Sequence, residues 1–370
     1  MREITMDFPF MPLPFGPQHP ASAHFHALMK LEGEKVIELR PSPGYLHRGF
    51  EKLMEYRNPE QNAALVDRLC IPDPFPNELA HAIVVERVVG VEAPERGQYL
   101  RVIMTELGRI LSHITQFGVL GMVLGIETIT KIAWGDREKI IRINEIVTGG
   151  RLYPCYITPG GVRRDFPKGI EKQILEAMDY MEDRLKLYDD LFFENSTIAA
   201  RMRNVGVLEA RDAIALGATG PNLRASGVNF DLRKDEPYDV YGDADFKVIT
   251  ASDGDAYSRT LCRRREIAES ISIVRQLVGK IPGGEFRADK KLYRKLPEEG
   301  EAHFCCEAAR GELGFHMITR GGTTPYRVKV RGPTFSHTLA VFPFLARGVQ
   351  ISDIPAIYWS LDSVPADMDR

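Results

Sequence analysis

The sequence predicts an α+β fold, a helical bundle core flanked by small β-sheets from both ends of the chain. Three observations predict it. Apolar residues recur at helical spacing through the middle of the chain. Short extended segments broken by Gly-rich turns stand near either end. No repeat, low-complexity tract or long linker divides the 370 residues. A single large domain over 1–370 is therefore expected, with an N-terminal β region (1–50), a helical core (51–285) and a C-terminal α+β region (286–370) that returns to the site.

In chain order, residues 1–20 are Pro-rich and read as an irregular lead-in. From Ala21 to Leu39 two extended runs flank Glu32-Gly33-Glu34, which reads as a β-hairpin. Asn58-Pro59 opens a helix, because Asn is a favoured cap and Pro is tolerated in the first turn. Its apolar residues run to Leu69, and the three prolines of Cys70-Ile71-Pro72-Asp73-Pro74-Phe75-Pro76 then break it. A second helix runs to about Val89 and stops near Gly90. Pro94-Glu95 opens a third, in which Tyr99, Val102, Ile103, Leu107, Ile110, Leu111 and Ile114 recur at helical spacing. Further helices are expected at about 135–149, 167–192, 206–216 and 257–279. Gly311 to Gly314, Thr319 to Gly322 and Tyr326 to Arg331 read as strands and turns, and Thr334 to Ala346 as helix.

Hydrophobic residues make up 44 % of the chain and charged residues 27 %, which excludes wholesale disorder. With 48 Lys and Arg against 51 Asp and Glu, the net charge is −3, which argues against binding nucleic acid through a general basic surface. The mean hydropathy of −0.20 excludes a multi-span membrane protein. The longest uncharged stretch, Ile110 to Ile126, carries Ser112, His113, Thr115 and Gln116, and a buried core helix is expected there. Met1 to Phe15 has no apolar run followed by a small-residue cleavage site, so no signal peptide and a cytoplasmic location are expected. The cysteines (Cys70, Cys155, Cys262, Cys305, Cys306) form no CxxC pair. This chain alone is therefore not expected to hold an iron–sulfur cluster. Scarce Asn and Gln beside plentiful Glu, Lys and Arg fit a thermophilic source.

Three segments can carry chemistry. His19, His24 and His26 lie within eight residues. They suit metal ligation or proton transfer from a loop, or are merely solvated. Arg68-Leu69-Cys70-Ile71-Pro72-Asp73 is stiffened by proline, and Cys70 is either a thiolate assisted by Arg68 or an inert buried thiol. The closing Asp362, Asp367 and Asp369 read as solvated charge, but the apolar Ala356-Ile357-Tyr358-Trp359 before them suggests that this end packs inside. Thr219 to Gly227 has glycines without dinucleotide-binding or P-loop spacing.

Several ordered segments together resemble the 49-kDa subunit of respiratory complex I. They are Gly16-Pro17-Gln18-His19-Pro20, Gly44-Tyr45-Leu46-His47-Arg48-Gly49-Phe50-Glu51-Lys52, Gly160-Gly161-Val162, Leu223-Arg224-Ala225-Ser226-Gly227, Ala309-Arg310-Gly311-Glu312-Leu313-Gly314 and Ser360-Leu361-Asp362 with Asp369-Arg370. That subunit is related to the large subunit of membrane-bound [NiFe]-hydrogenases, so the resemblance implies a hydrogenase-large-subunit-like fold. Where hydrogenases use four cysteines for nickel and iron, this chain has Cys70, Asp73, Val364 and Asp367. That set has too few soft thiolates for such a centre, so no hydrogenase activity and no metal ligand set are expected. Complex I offers quinone a loop histidine, an aspartate and a tyrosine. Here the nearest histidine is His24, and the other two positions are Val123 and Ile71. The resemblance also places Arg68 and Tyr153 beside a [4Fe-4S] cluster held by a small partner subunit.

A relative lacking both nickel ligands and quinone donors resembles the large subunit of archaeal membrane-bound sulfane reductase. This implies a ferredoxin-dependent sulfane or polysulfide reductase coupled to an ion-pumping membrane arm. Such a chain would sit peripherally at the cytoplasmic face of the membrane. The expected site groups are His19, His24, Arg68, Cys70, Asp73 and Asp367. His19 or His24 would supply protons, Arg68 would stabilise thiolate products, and Cys70 would attack sulfane sulfur or be a relic. The alternatives are a quinone-reducing subunit and a non-catalytic scaffold over a partner's cluster.

Overall fold

A computed structural model describes residues 11–370. The expectations for residues 1–10, an irregular lead-in without a signal peptide, lie outside them. The first sheet is antiparallel, in the order β1 (Met11–Phe15), β2 (Ala27–Glu32), β3 (Lys35–Pro41). The expected hairpin is β2–β3 about Gly33, with Glu32 paired to Lys35. Two details depart from the sequence reading. Pro12 and Pro14 sit in a strand, which is permitted because β1 is an edge that pairs only with β2. Pro20–Ser22 is a helical turn, and Ala23 and His24 have φ of 47° and 69°, so the extended run starts at Ala27.

The helical part begins with α1 (Phe50–Met54) and α2 (Pro59–Val66). Asn58 and Gln61 form a reciprocal capping box that starts α2. α3 (Pro74–Val89) ends on Gly90 in the left-handed region, as its sequence predicts. α4 (Glu95–Val123) contains most of the uncharged stretch and is the central buried helix. Among the described residues no helix is long and apolar enough to cross a membrane. α5 (Glu127–Thr148) starts earlier than expected, because Ile129 and Ala133 pack back on the end of α4. A small ribbon, β4 (Ile157–Thr158) with β5 (Gly161–Val162), follows.

α6 (Ile170–Tyr188) runs into a wider π turn at Asp189–Phe193, and α7 (Ser196–Met202), capped by Asn195, is not evident from the sequence pattern. Only α8 (Ala210–Ala215) of the expected 206–216 segment is helical. There Leu208 instead donates a backbone hydrogen bond to Gly254. α9 (Gly220–Arg224), α10 (Leu232–Asp235) and α11 (Ala256–Val278) complete the core, with α11 packed along α4.

The last sheet is antiparallel, in the order β6 (Gly300–Ala308), β7 (Gly311–Thr319), β8 (Arg327–Arg331). β6 is an addition to the sequence reading, although Phe304 and Cys306 point inward between outward His303 and Cys305. Pro333 to Leu345 is helical as expected, as α12 (Pro333–Ser336), a π turn and α13 (Phe342–Leu345). α14 (Ile354–Ser360) and α15 (Pro365–Asp369) end the chain inside the fold.

A buried ion-pair web ties α4, α9, α10 and α11 to β6. The Arg224 guanidinium donates to Glu266 Oε1 at 2.7 and 3.0 Å and to Glu307 Oε1 at 2.8 Å. Arg233 donates to Asp231 at 2.7 Å and to Glu106 at 3.2 Å. Tyr241 and Ser270 hydroxyls each donate to Glu106 at 2.6 Å. These donors and cations hold the Glu106 carboxyl down at about 2 against the effect of burial. Glu307 stands three residues before Arg310, so the web anchors the β6–β7 turn. The start of α9 packs on the same turn so closely that a Cβ on Gly220 would lie 2.4 Å from Gly311 Cα.

Candidate functional site

Two loops, one turn and the final helix converge on a buried polar cluster. Cys70 follows α2 in a short turn, and Asp73 immediately precedes α3. Arg310 lies on the β6–β7 turn, Asp362 follows α14, and Asp367 lies on α15. None of the five is more than 4 % exposed. Arg310 is the hub. It donates to Cys70 Sγ at 3.3 Å, to Asp362 Oδ1 at 3.2 Å and to the Asp362 carbonyl at 3.1 Å. Asp73 Oδ2 accepts the Ala309 N–H at 2.8 Å, which ties the α3 loop to the Arg310 turn. Asp362 has φ of 54°, a left-handed conformation that costs free energy for a non-glycine residue.

The cluster carries more acids than cations. Arg310 is the cation embedded in it, and Arg263 Nε stands 3.9 Å from Asp362. One oxygen each of Asp73, Asp362 and Asp367 accepts no hydrogen bond from the described residues. Burial pushes the Asp73 carboxyl up, although Arg310 and Arg109 oppose it. Burial likewise pushes Asp367 up to about 7, against a Thr334 hydrogen bond and Arg310. The Cys70 thiol is pushed well above its ordinary value by burial, and Arg310 only partly offsets this. Near neutral pH the pocket therefore holds a protonated thiol and an Asp367 carboxyl that is about half protonated, beside the Arg310 charge.

The structure brings Cys70, Asp73 and Asp367 together, and adds Arg310 and Asp362, to which the sequence reading assigns no role. It corrects one pairing. Arg68 does not stand beside Cys70: it donates to Ala64 O at 2.7 Å and to Asp67 Oδ1 at 2.6 Å, and its guanidinium lies 4.8 Å over the Tyr153 ring. The Arg68–Tyr153 pair is half open to solvent, next to exposed Ile71 and Leu152. Glu78 pins this segment by accepting the Tyr156 and Ile157 N–H groups at 3.0 and 2.8 Å.

The histidine loop lies outside the cluster. His19 is exposed, and its Nδ1 accepts the Ala21 N–H at 3.1 Å as a helix cap. His24 is exposed too. The loop is nevertheless fastened to the helix that leads into Asp362. Trp359 donates to Ala21 O at 2.8 Å and Tyr358 to Ser22 O at 3.1 Å.

The donor set does not fit a nickel–iron centre. Only one thiol stands at the four positions, and an arginine hydrogen-bonds to its sulfur.

Residues 124–299 and 293–370 match the family described as respiratory-chain NADH dehydrogenase, 49-kDa subunit. The chain is 41 % identical over 360 residues to a subunit of the NADH-quinone oxidoreductase of Thermosipho melanesiensis, covering 96 % of this chain and 98 % of that protein. It is 37 % identical over 361 residues to a subunit of the F420H2 dehydrogenase of Methanosarcina mazei, covering 96 % of each. A chain in the solved structure of the membrane-bound sulfane sulfur reductase, an archaeal respiratory membrane complex, superposes with a TM-score of 0.94 at 38 % identity, covering 98 % of both chains.

Proposed function

The chain belongs to the 49-kDa subunit family of respiratory-chain NADH dehydrogenases, and from that membership we propose that it is the large subunit of the catalytic module in a membrane-bound, ferredoxin-dependent sulfane or polysulfide reductase. One observation carries the reading. A fold superposable on a sulfane reductase chain has one thiol and two carboxyls, Cys70, Asp73 and Asp367, at positions where the hydrogenase resemblance calls for thiolates, and buries Arg310 and Asp362 beside them. The complex would dock ferredoxin, carry its [4Fe-4S] clusters in partner subunits and couple turnover to an ion-pumping membrane arm at the cytoplasmic face.

Electrons would reach the site from a cluster in the small partner subunit. Arg68 and Tyr153 offer hydrogen-bond donors and a cation toward that side, which tune such a centre. Cleaving R–S–S–R′ consumes two electrons and two protons and releases RSH and R′SH. Arg310 supplies the positive charge that stabilises the departing thiolate or hydrosulfide. Asp367 and Asp73 hold the protons for the two sulfurs. Exposed His19 and His24 would refill them from solvent. Cys70, held as a thiol, lends a hydrogen-bonding sulfur, and it attacks sulfane sulfur only after losing its proton.

A rate that needs protonated Asp367 falls as pH rises through about 7. In the Asp367→Asn variant that limb disappears, and the rate at pH 6 drops roughly 10- to 100-fold. Stability carries the same sign. Between the ordinary carboxylate value and about 7 the folded chain keeps a proton that the unfolded chain has lost, so this contribution declines as pH rises through that window. Turnover profiles and melting curves from about pH 4 to 9 check both.

The acceptor decides between readings. The intact complex, given reduced ferredoxin, is offered an organic trisulfide, polysulfide, a quinone analogue and protons in separate assays. Fast sulfane reduction without hydrogen evolution is expected. Quinone reduction without sulfane turnover would overturn the proposal. The second reading, a quinone-reducing subunit, is favoured by the names of the NADH-quinone relatives. Against it, Ile71 and Val123 offer no hydrogen-bonding group where quinone would need one. Unchanged turnover in a Cys70→Ser complex would discard covalent attack. Unchanged turnover in an assembled His24, Arg68 and Asp73 triple variant would strengthen the scaffold reading.

A further inference from the structure

Away from the Cys70 cluster, an open cavity of about 460 Å³ lies between the C-terminal turn of α3 and the Pro237-Tyr238-Asp239 segment. Three carboxylates, Glu86, Glu92 and Asp239, line it. The Asp239 side chain is only 8 % exposed, yet its Oδ2 accepts no hydrogen bond from the described residues. Arg101 is the nearest cation, at 3.8 Å, but it is already committed. Its guanidinium donates to both oxygens of Glu86 and to the Thr158 and Gly161 carbonyls. Burial, and then the charge of Glu86, push the Asp239 carboxyl up to about 7 against Arg101. Arg87, at the rim, is committed as well: it donates to His303 O at 2.9 Å and covers the Phe304 ring. Gln98 Nε2 donates to Ala93 O at 2.8 Å, which leaves its Oε1 as an acceptor in the cavity wall. Glu92 adds a further carboxylate to the lining. The negative end of the α3 dipole points the same way.

An unpartnered oxygen on a buried carboxylate is costly, and a cavity lined by three carboxylates favours a guest that brings N–H groups. Among the described residues no group of three His, Cys, Asp or Glu side chains is placed to hold a metal ion, which disfavours the ionic alternative. Apolar Ile83 and the Tyr238 segment line the rest of the wall. We propose that this cavity is a binding site for an alkylammonium group, with Asp239 as its counter-ion and Gln98 as a second acceptor. The group comes either from a free organic amine or from a lysine of a neighbouring subunit.

The site is independent of the Cys70 cluster and of the acceptor it serves, so it is tested without an activity assay. In one arm the intact complex is titrated with n-butylammonium by calorimetry, with tetramethylammonium, which has no N–H, as control. In the other arm a water-soluble carbodiimide is added without amine, and peptides cross-linked at Asp239 are mapped by mass spectrometry. Single-site butylammonium binding that weakens about tenfold or more in Asp239→Asn supports a free amine. Gln98→Leu, which leaves the buried charges alone, should weaken it a few-fold. A cross-link from Asp239 to a lysine of another subunit, absent in Asp239→Asn, supports the partner source. If butylammonium binds no better than tetramethylammonium and no cross-link forms at Asp239, the proposal is wrong.

Discussion

Replacing Arg310 by Met is expected to lower sulfane turnover of the assembled complex by at least about 100-fold, the scale of losing an embedded charge that stabilises a developing anion. Among the described residues, Arg310 is the only cation that donates to both Cys70 and Asp362. Without it, Asp73 and Asp367 lose a charge that opposes their desolvation. The alkaline limb of the pH profile should therefore move up from about 7 while its height collapses. A purely structural defect would lower the height without moving the limb. Arg310→Lys keeps the charge but cannot span Cys70 and Asp362 with one planar fork, and it should retain intermediate turnover with the limb near its original place. Steady-state rates across pH on both variants, with native gels to show assembly, decide the matter. A limb that stays near 7 in Arg310→Met would refute the electrostatic coupling.

Arg224→Met is expected to destabilise the fold severely. The side chain is fully buried and serves Glu266, Glu307 and the Phe230 carbonyl, with Asp231 at 3.5 Å. Removing one member of such a web leaves carboxylates buried without their counter-ion, a loss of roughly 3–5 kcal/mol. The expected outcome is a chain that fails to enter the complex at its normal working temperature, or melts well below the parent by calorimetry. Arg224→Met with Glu266→Gln, which removes a charge of each sign, should recover part of the loss. A double variant that melts lower than Arg224→Met by the full cost of Glu266→Gln alone would show that the web is not energetically coupled.

Much of the fold is legible in the sequence because local chemistry dictates it. The capped start of α2, the glycine stop of α3 and the Pro94-Glu95 start of α4 are statements about a few consecutive residues, and those three boundaries fall where the sequence places them. Elements set by distant partners are hidden. β1 reads as irregular because its prolines suit only an edge strand, and β6 earns its place by pairing with β7. The site follows the same rule. Cys70, Asp73 and Asp367 stand out because a resemblance places them at ligand positions of the hydrogenases. Arg310 belongs to a recognisable motif, but nothing local says that a turn arginine will reach Cys70, 240 residues earlier. Arg68 misleads for the opposite reason: sequence proximity to Cys70 suggests contact, whereas the turn between them directs the two side chains apart.

The closing segment is held by the start of the chain. Leu46 N–H donates to Asp369 at 2.9 Å, and the Arg48 and Gly49 N–H groups both donate to the Arg370 carbonyl. Arg370 in turn reaches Glu51. These contacts span more than 300 residues of sequence, so they are contacts of very high order, formed only after most of the intervening chain is compact. Asp362 and Asp367 lie in the segment that these contacts fasten. A substitution that loosens the Leu46–Asp369 or Arg48–Arg370 contacts therefore disturbs the Asp362 and Asp367 side of the Cys70 cluster from outside it.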